Sequence, residues 1–260
     1  MSQPDRPATA RVAALRPFLT GVLIGLALLF AAGAALGQGI DASPFDALLR
    51  ANVKDGVVNY PGFQDSAAFR SYVGDLARPA KLESKRDQLA YNINAYNALA
   101  IQGILDGLSP ASLLGRLRYF KLQEWPLDGR RITLYDLEHA VLRPLGEPRI
   151  HFAIICASKM CPFLRSEAYT AARLDEQLDE QARAFVNDPS RNRFDKTTKT
   201  AHLSEIFKWY DEDFRDPGSV QKYLAKFVSD PDVAKDLALN GYTVEWIPYD
   251  WTLNGTPPRK

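Results

Sequence analysis

The stretch Arg149 to Leu164, RIHFAIICASKMCPFL, holds both cysteines of the chain and one of its three histidines. A cysteine can attack a carbonyl carbon, but a free thiol has a pKa of about 8.5, so at neutral pH it needs a neighbour that favours the thiolate. Cys156 is the expected nucleophile, with His151 or His139 as the base and Glu138 or another carboxylate to orient the imidazole. Five positions separate His151 from Cys156, an odd number, so a regular strand would put them on opposite faces. The two meet only if the strand bends or ends before Cys156. His139 faces away from the core line of its own helix and is free to line a site. The chemistry these residue types support is acyl transfer or peptide hydrolysis.

Other readings of the same residues stay open. Cys156 and Cys161 could form a disulfide across four intervening residues, a loop so short that the bridge would contribute at or below the usual ~2–4 kcal/mol. That bridge would shape a non-catalytic binding module for an envelope ligand. His139, His151, Cys156 and Cys161 could together hold zinc, yet the histidines lie twelve positions apart and lack a recurrent ligand spacing. No metal and no cofactor is therefore expected. The aromatic and acidic segments KWYDEDF and PYDWTLN offer Asp213 or Asp250 as a rim carboxylate that could orient a histidine.

The Ile150–Ile155 run is short, apolar and β-branched, which predicts a buried strand with Cys156 at its end. The longest helix is predicted from Ser84, capped with Asp87, to about Gly107. Asn94 and Asn97 on that helix need hydrogen-bond partners, so they either tie down loops or line a pocket. Thr133 and Asp136 open the helix that carries Glu138 and His139. Asp128-Gly129 predicts a tight hairpin, residues 193–203 a second one, Tyr119–Leu122 an extended segment and Tyr242–Ile247 a last strand. Helices outnumber strands and no β-α-β repeat recurs, which predicts an α+β fold of helices around a small, mostly antiparallel sheet.

Residues 1–37 are different material. Arg6, Arg11 and Arg16 precede an uncharged run from Phe18 to Gly37 that ends in Ala35-Leu36-Gly37, the pattern of a signal peptide or of a retained membrane anchor. A single exported domain is expected over residues 38–260, periplasmic or secreted, or held at the inner membrane through residues 18–37 if they are not cleaved. Without residues 1–37 the chain carries 29 basic and 30 acidic residues of interspersed sign, which argues against nucleic acid as a partner and leaves a small molecule or peptide. No phosphate-cradling glycine loop, Gly-x-Ser-x-Gly elbow or His-Glu-x-x-His is present in the sequence.

The segments LAYNINAYNALAI, TLYDLEHAVLR, RIHFAIICASKMCP, AFVND, LSEIFKWYDEDF and YDWTLN, in this order, resemble the bacterial family named domain of unknown function 547 over about residues 45–254. The resemblance implies an exported single domain that shares Asn94, Asn97, Glu138, His139, His151, Cys156, Cys161 and Pro162. Asn92 departs from it, standing where many members carry a bulky aromatic. A looser likeness to papain- and transglutaminase-like folds rests on the pairing of a helix with a small antiparallel sheet, although here no cysteine begins the long helix.

Overall fold

The computed structural model describes residues 40–216 and 218–259, so the expected signal segment lies outside the described residues. Those residues belong to one compact unit, 39–260. In chain order, α1 (Ser43–Asn52) leads into β1 (Val53–Lys54), β2 (Val57–Asn59), α2 (Tyr60–Gln64) and α3 (Ala67–Asp75). The long α4 (Lys85–Leu105) follows, then α5 (Leu113–Arg116), which runs on into a wider π-helical turn, Leu117–Leu122. The hairpin β3 (Glu124–Leu127) and β4 (Arg130–Thr133) comes next, and then α6 (Leu134–Asp136), which also widens into a π-helical turn, Leu137–Leu142. A 3-10 turn, Pro148–Phe152, precedes α7 (Leu174–Val186), β5 (Arg193–Asp195) and β6 (Thr200–Ser204). The chain closes with α8 (Ile206–Trp209), α9 (Asp211–Phe214), α10 (Val220–Leu224), α11 (Pro231–Ala238), β7 (Thr243–Ile247) and β8 (Gly255–Thr256).

Helix α4 is the axis of the molecule. Ser84 Oγ accepts from the Asp87 N–H, and the Asp87 carboxylate accepts in turn from the Ser84 N–H, so the helix starts on a reciprocal cap. Every residue from Leu89 to Ile101 is buried, so α4 is covered on all sides. Each large apolar side chain there, Ile93 or Leu99 for example, contributes about 1.5–3 kcal/mol by leaving water.

Two apolar clusters divide the interior. One surrounds α4, with Phe45 stacked on Tyr72 at 5.0 Å. The other gathers α7 and the C-terminal elements around Phe185, Phe207 and Phe214. The segment from the 3-10 turn to Cys156 joins them: Ile150, Ile154 and Ile155 enter the first cluster, while Phe152 enters the second. Residues at this seam are held from both sides, which is the condition for a precise site.

The fold is α+β. The strands form three small sheets among the described residues, not one: β1-β2-β8, β3-β4 and β5-β6-β7. β2 with β8 and β6 with β7 are parallel, and the other pairs are antiparallel. The β3–β4 hairpin turns on Asp128 and Gly129, both at positive φ (50° and 72°), the backbone that an Asp-Gly turn supplies.

Two expected extended segments are corrected. Ile150–Ile155 is not a strand. Pro148 opens a 3-10 turn, the Glu147 side chain accepts from the Arg149 N–H, and the following backbone is satisfied by Asn97 instead of a neighbouring strand. Tyr119–Leu122 is also helical. Tyr119 drops into the core against Gly103, where an added Cβ would stand 2.9 Å from its ring, and its hydroxyl donates to the Ala100 carbonyl at 2.7 Å.

Candidate active site

Cys156 lies on a cavity of about 570 Å³ that Glu138, His139, His151 and Cys161 also line. Both cysteines are free thiols, which corrects the bridged reading. Cys161 Sγ accepts from the backbone N–H of Cys156 at 2.7 Å and so stands beside its neighbour's backbone as a hydrogen-bond partner.

The thiol is placed by three restraints. Asn97 on α4 donates to the Ala153 carbonyl at 3.0 Å and accepts from the Ile155 N–H at 3.0 Å, which fixes the backbone just before Cys156. Ala157, just after it, is buried at φ 61°, a left-handed conformation that costs an L-residue of order 1 kcal/mol. Beyond it, the Lys159 N–H donates to the Thr252 carbonyl and the Asn254 N–H to the Ala157 carbonyl, tying the loop to the C-terminal segment. That tie brings Tyr249 to the sulfur.

Cys156 Sγ lies 3.0 Å from Ser158 Oγ and 3.1 Å from the Tyr249 hydroxyl, and Ser158 Oγ donates to Tyr249 at 3.2 Å. In the neutral state three donors close a ring of three bonds: thiol to Ser158, Ser158 to Tyr249, Tyr249 to sulfur. When the thiol ionises, the Ser158 hydroxyl can turn and both oxygens donate to sulfur. Burial alone would raise the Cys156 pKa, but the hydrogen bonds from Cys161, Ser158 and Tyr249 outweigh it and bring it down to about 7. Burial, reinforced by the Cys156 sulfur, pushes Cys161 well above its ordinary value. Burial does the same to the Tyr249 phenol, so it stays a donor. Of the two cysteines, Cys156 is therefore the acidic one.

The histidines divide the remaining roles. His151 is buried, with Nε2 2.7 Å from Asp213 Oδ2 and Nδ1 3.6 Å from Glu138 Oε1. Asp213 also accepts two bonds from the Arg143 guanidinium, at 2.7 and 2.9 Å. Burial would raise the Asp213 carboxyl, but His151 and Arg143 hold it far below the usual carboxylate range. Tyr210 lies flat on the His151 ring, 3.9 Å between centroids. His151 thus faces carboxylates on both edges. His139 is different: its Nδ1 lies 3.1 Å from the Tyr135 carbonyl, an acceptor, so Nδ1 carries the proton and Nε2 the lone pair. Nε2 has no hydrogen-bond partner among the described residues. Its ring stacks on Tyr135 at 4.0 Å. Glu138 and His139 both sit on the π-helical turn, a local widening often found at functional sites.

Three expected site residues stand elsewhere. Asn94 grips the Tyr169 backbone through two bonds of 2.8 Å, and Asn97 grips residues 153 and 155, so both serve as backbone clamps and neither lines the cavity. Asp250 is exposed, accepts from Thr252 and does not line the cavity. Asp213 is the carboxylate that holds a histidine, His151, but it does not line the cavity; Glu138 does. Tyr249, Ser158, Tyr210 and Arg143 were not singled out as site residues, although the aromatic and acidic segments PYDWTLN and KWYDEDF contain Tyr249 and Tyr210. Among the described residues no group of three or more His, Cys, Asp and Glu could hold a metal ion. Nor is any described helix long and apolar enough to cross a membrane.

Residues 79–186 match the family model described as "Protein of unknown function, DUF547". The DUF547 match runs from just before α4 to the end of α7 and contains Glu138, His139, His151, Cys156 and Cys161. It is narrower than the expected 45–254, leaving Asp213 and Tyr249 outside. No curated protein and no solved structure gives a match, so the likeness to papain- and transglutaminase-like folds finds no support.

Proposed function

We propose that this chain is an exported thiol enzyme of the acyl-transferase or hydrolase class, with Cys156 as nucleophile and His139 as general base. The observation that carries this reading is the set of hydrogen bonds on Cys156 Sγ, from Cys161 first and then Ser158 and Tyr249, which bring its pKa down to about 7 at the wall of a cavity it shares with an imidazole whose Nε2 has no hydrogen-bond partner among the described residues. Export, to the periplasm or beyond, is supported by the basic and then apolar run of residues 6–37. Cys156 sulfur attacks an acyl carbonyl, the S–C bond forms, and His139 Nε2 holds the proton released by the thiol. The tetrahedral species collapses, the bond from carbon to the leaving group breaks, and that group takes the proton from His139. Water then adds to the thioester, giving its proton to His139, and the C–S bond breaks to release a carboxylic acid and the thiol. His151, held at Nε2 by Asp213, forms part of the cavity wall in this mechanism, and the thiol proton goes to His139.

The test uses p-nitrophenyl butyrate with the purified protein. A burst of p-nitrophenol, an added butyryl mass on the Cys156 peptide and loss of both in Cys156→Ala support the reading. Unchanged hydrolysis in Cys156→Ala, or no acyl adduct at any time, overturns it and leaves a binding cavity.

A further inference from the structure

The walls and mouth of the cavity carry chemistry that the thiol mechanism does not use. Two stacks lead from the outside toward the reactive groups. In one, the Lys121 ammonium lies 4.2 Å from the centre of the Tyr135 ring, which stacks on His139. In the other, the Arg116 guanidinium lies 4.5 Å from the centre of a Trp251 ring, which packs at 4.5 Å on Tyr249, the donor to Cys156. Neither cation makes an ion pair among the described residues, and Lys121 Nζ has no hydrogen-bond partner there; Arg116 donates one bond, to the Pro110 carbonyl. By contrast, Arg143, Arg149, Arg165 and Arg173 each face a carboxylate. The carboxylate of Glu138, also in the cavity, faces His151.

The surface between and beyond these cations is apolar. Phe120, Ile154 and Trp209 line the cavity, and Leu113 and Leu117 carry the apolar wall outward, where they are 79% and 43% exposed. Leu114 and Leu122, on the same helical stretch of residues 113–122, are 56% and 61% exposed. A monomeric surface seldom leaves four leucines of one short helical segment in water without a use. A cation held over an aromatic face keeps its charge free to meet an anion.

We infer that the cavity binds an anionic amphiphile, an aliphatic chain bearing a carboxylate or phosphate, with the chain along the aromatic and leucine wall and the anion between Arg116 and Lys121. This rests on the proposed function only in naming that function's acyl group as aliphatic; binding itself does not need the thiol. Trp209 and Trp251 on the cavity wall report occupancy through their fluorescence.

The experiment titrates the full chain with octanoate, octyl phosphate and octanol, in wild type and in Arg116→Gln/Lys121→Gln. Expected are quenching that saturates with an anion at least about ten-fold tighter than octanol, and a loss of about ten-fold or more for the anions alone in the double variant. The tighter of octanoate and octyl phosphate identifies the head group. Octanol binding as tightly as both anions, or anion affinity unmoved in the double variant, overturns the inference. If the anions bind as expected while p-nitrophenyl butyrate gives no Cys156 adduct, the thiol mechanism fails and this inference stands.

Discussion

His151 Nε2 lies 2.7 Å from Asp213 Oδ2, a contact between residues sixty-two positions apart that anchors α9 to the seam between the two apolar clusters. Arg143 closes the same carboxylate from its other side. An imidazole held this way is a fixed wall. In the proposed mechanism that fixed ring is a wall of the site and His139 is the base.

Asp213→Asn keeps the side-chain shape but removes the charge that pairs with Arg143. Both members of that pair keep about a fifth of their side-chain surface in water, so the expected loss is about 1–3 kcal/mol, below that of a fully buried pair. Thermal or urea unfolding measures it. Asp213 is not among the groups that touch the sulfur, so the pH midpoint for alkylation of Cys156 should stay near 7 in this variant. A midpoint that moves toward 9 would show that the anchor acts on the thiol after all.

Iodoacetamide reacts with thiolate, so its rate with Cys156 should rise as pH increases through about 7 and level off above it. The sign follows from the donors: each hydroxyl that stabilises the anion lowers the midpoint, and each one lost raises it. Tyr249→Phe and Ser158→Ala are each expected to move the midpoint up by about half a unit to one unit. Cys161, pushed the other way, should stay unmodified throughout this range. Peptide mass mapping after alkylation at pH 7 separates the two cysteines; equal labelling of both contradicts the asymmetry.

Asn97→Ala leaves the Ala153 carbonyl and the Ile155 N–H buried without their partner. The expected cost is about 2–4 kcal/mol, together with a slower alkylation of Cys156 at pH 7, because the backbone leading into it is released. Asn94→Ala should cost a similar amount of stability yet leave the alkylation rate of the folded protein unchanged, since Asn94 holds Tyr169 instead. The comparison of these two variants, by denaturation and by thiol kinetics, separates positioning of the thiol from general stability.

Where a local rule was sufficient, the fold could be read from the sequence. The Ser84–Asp87 cap, the Asp128-Gly129 turn and the amphipathic stripe of α7 each act within a few residues. The Ile150–Ile155 run misled because β-branched residues favour a strand only when a neighbouring strand accepts the backbone bonds; here the acceptor and donor are one asparagine on α4. α11 was missed although Asp230-Pro231 is a start signal, with the Asp230 side chain accepting from the Asp232 and Val233 N–H groups. Residue type alone pointed to Cys156, His139, His151 and Glu138. What tunes the thiol could not be seen that way, because Tyr249 reaches Cys156 across 93 positions through the pairing of the 157–159 loop with the last ordered segment.

The clamp from α4 has one more consequence. Cys156 owes its acidity to neighbours gathered by the folded chain, and an unfolded molecule offers the same sulfur with the acidity of a free amino acid. The speed of its labelling at neutral pH is therefore an internal gauge of native structure, one that needs no substrate and that drops when the long central helix releases its hold.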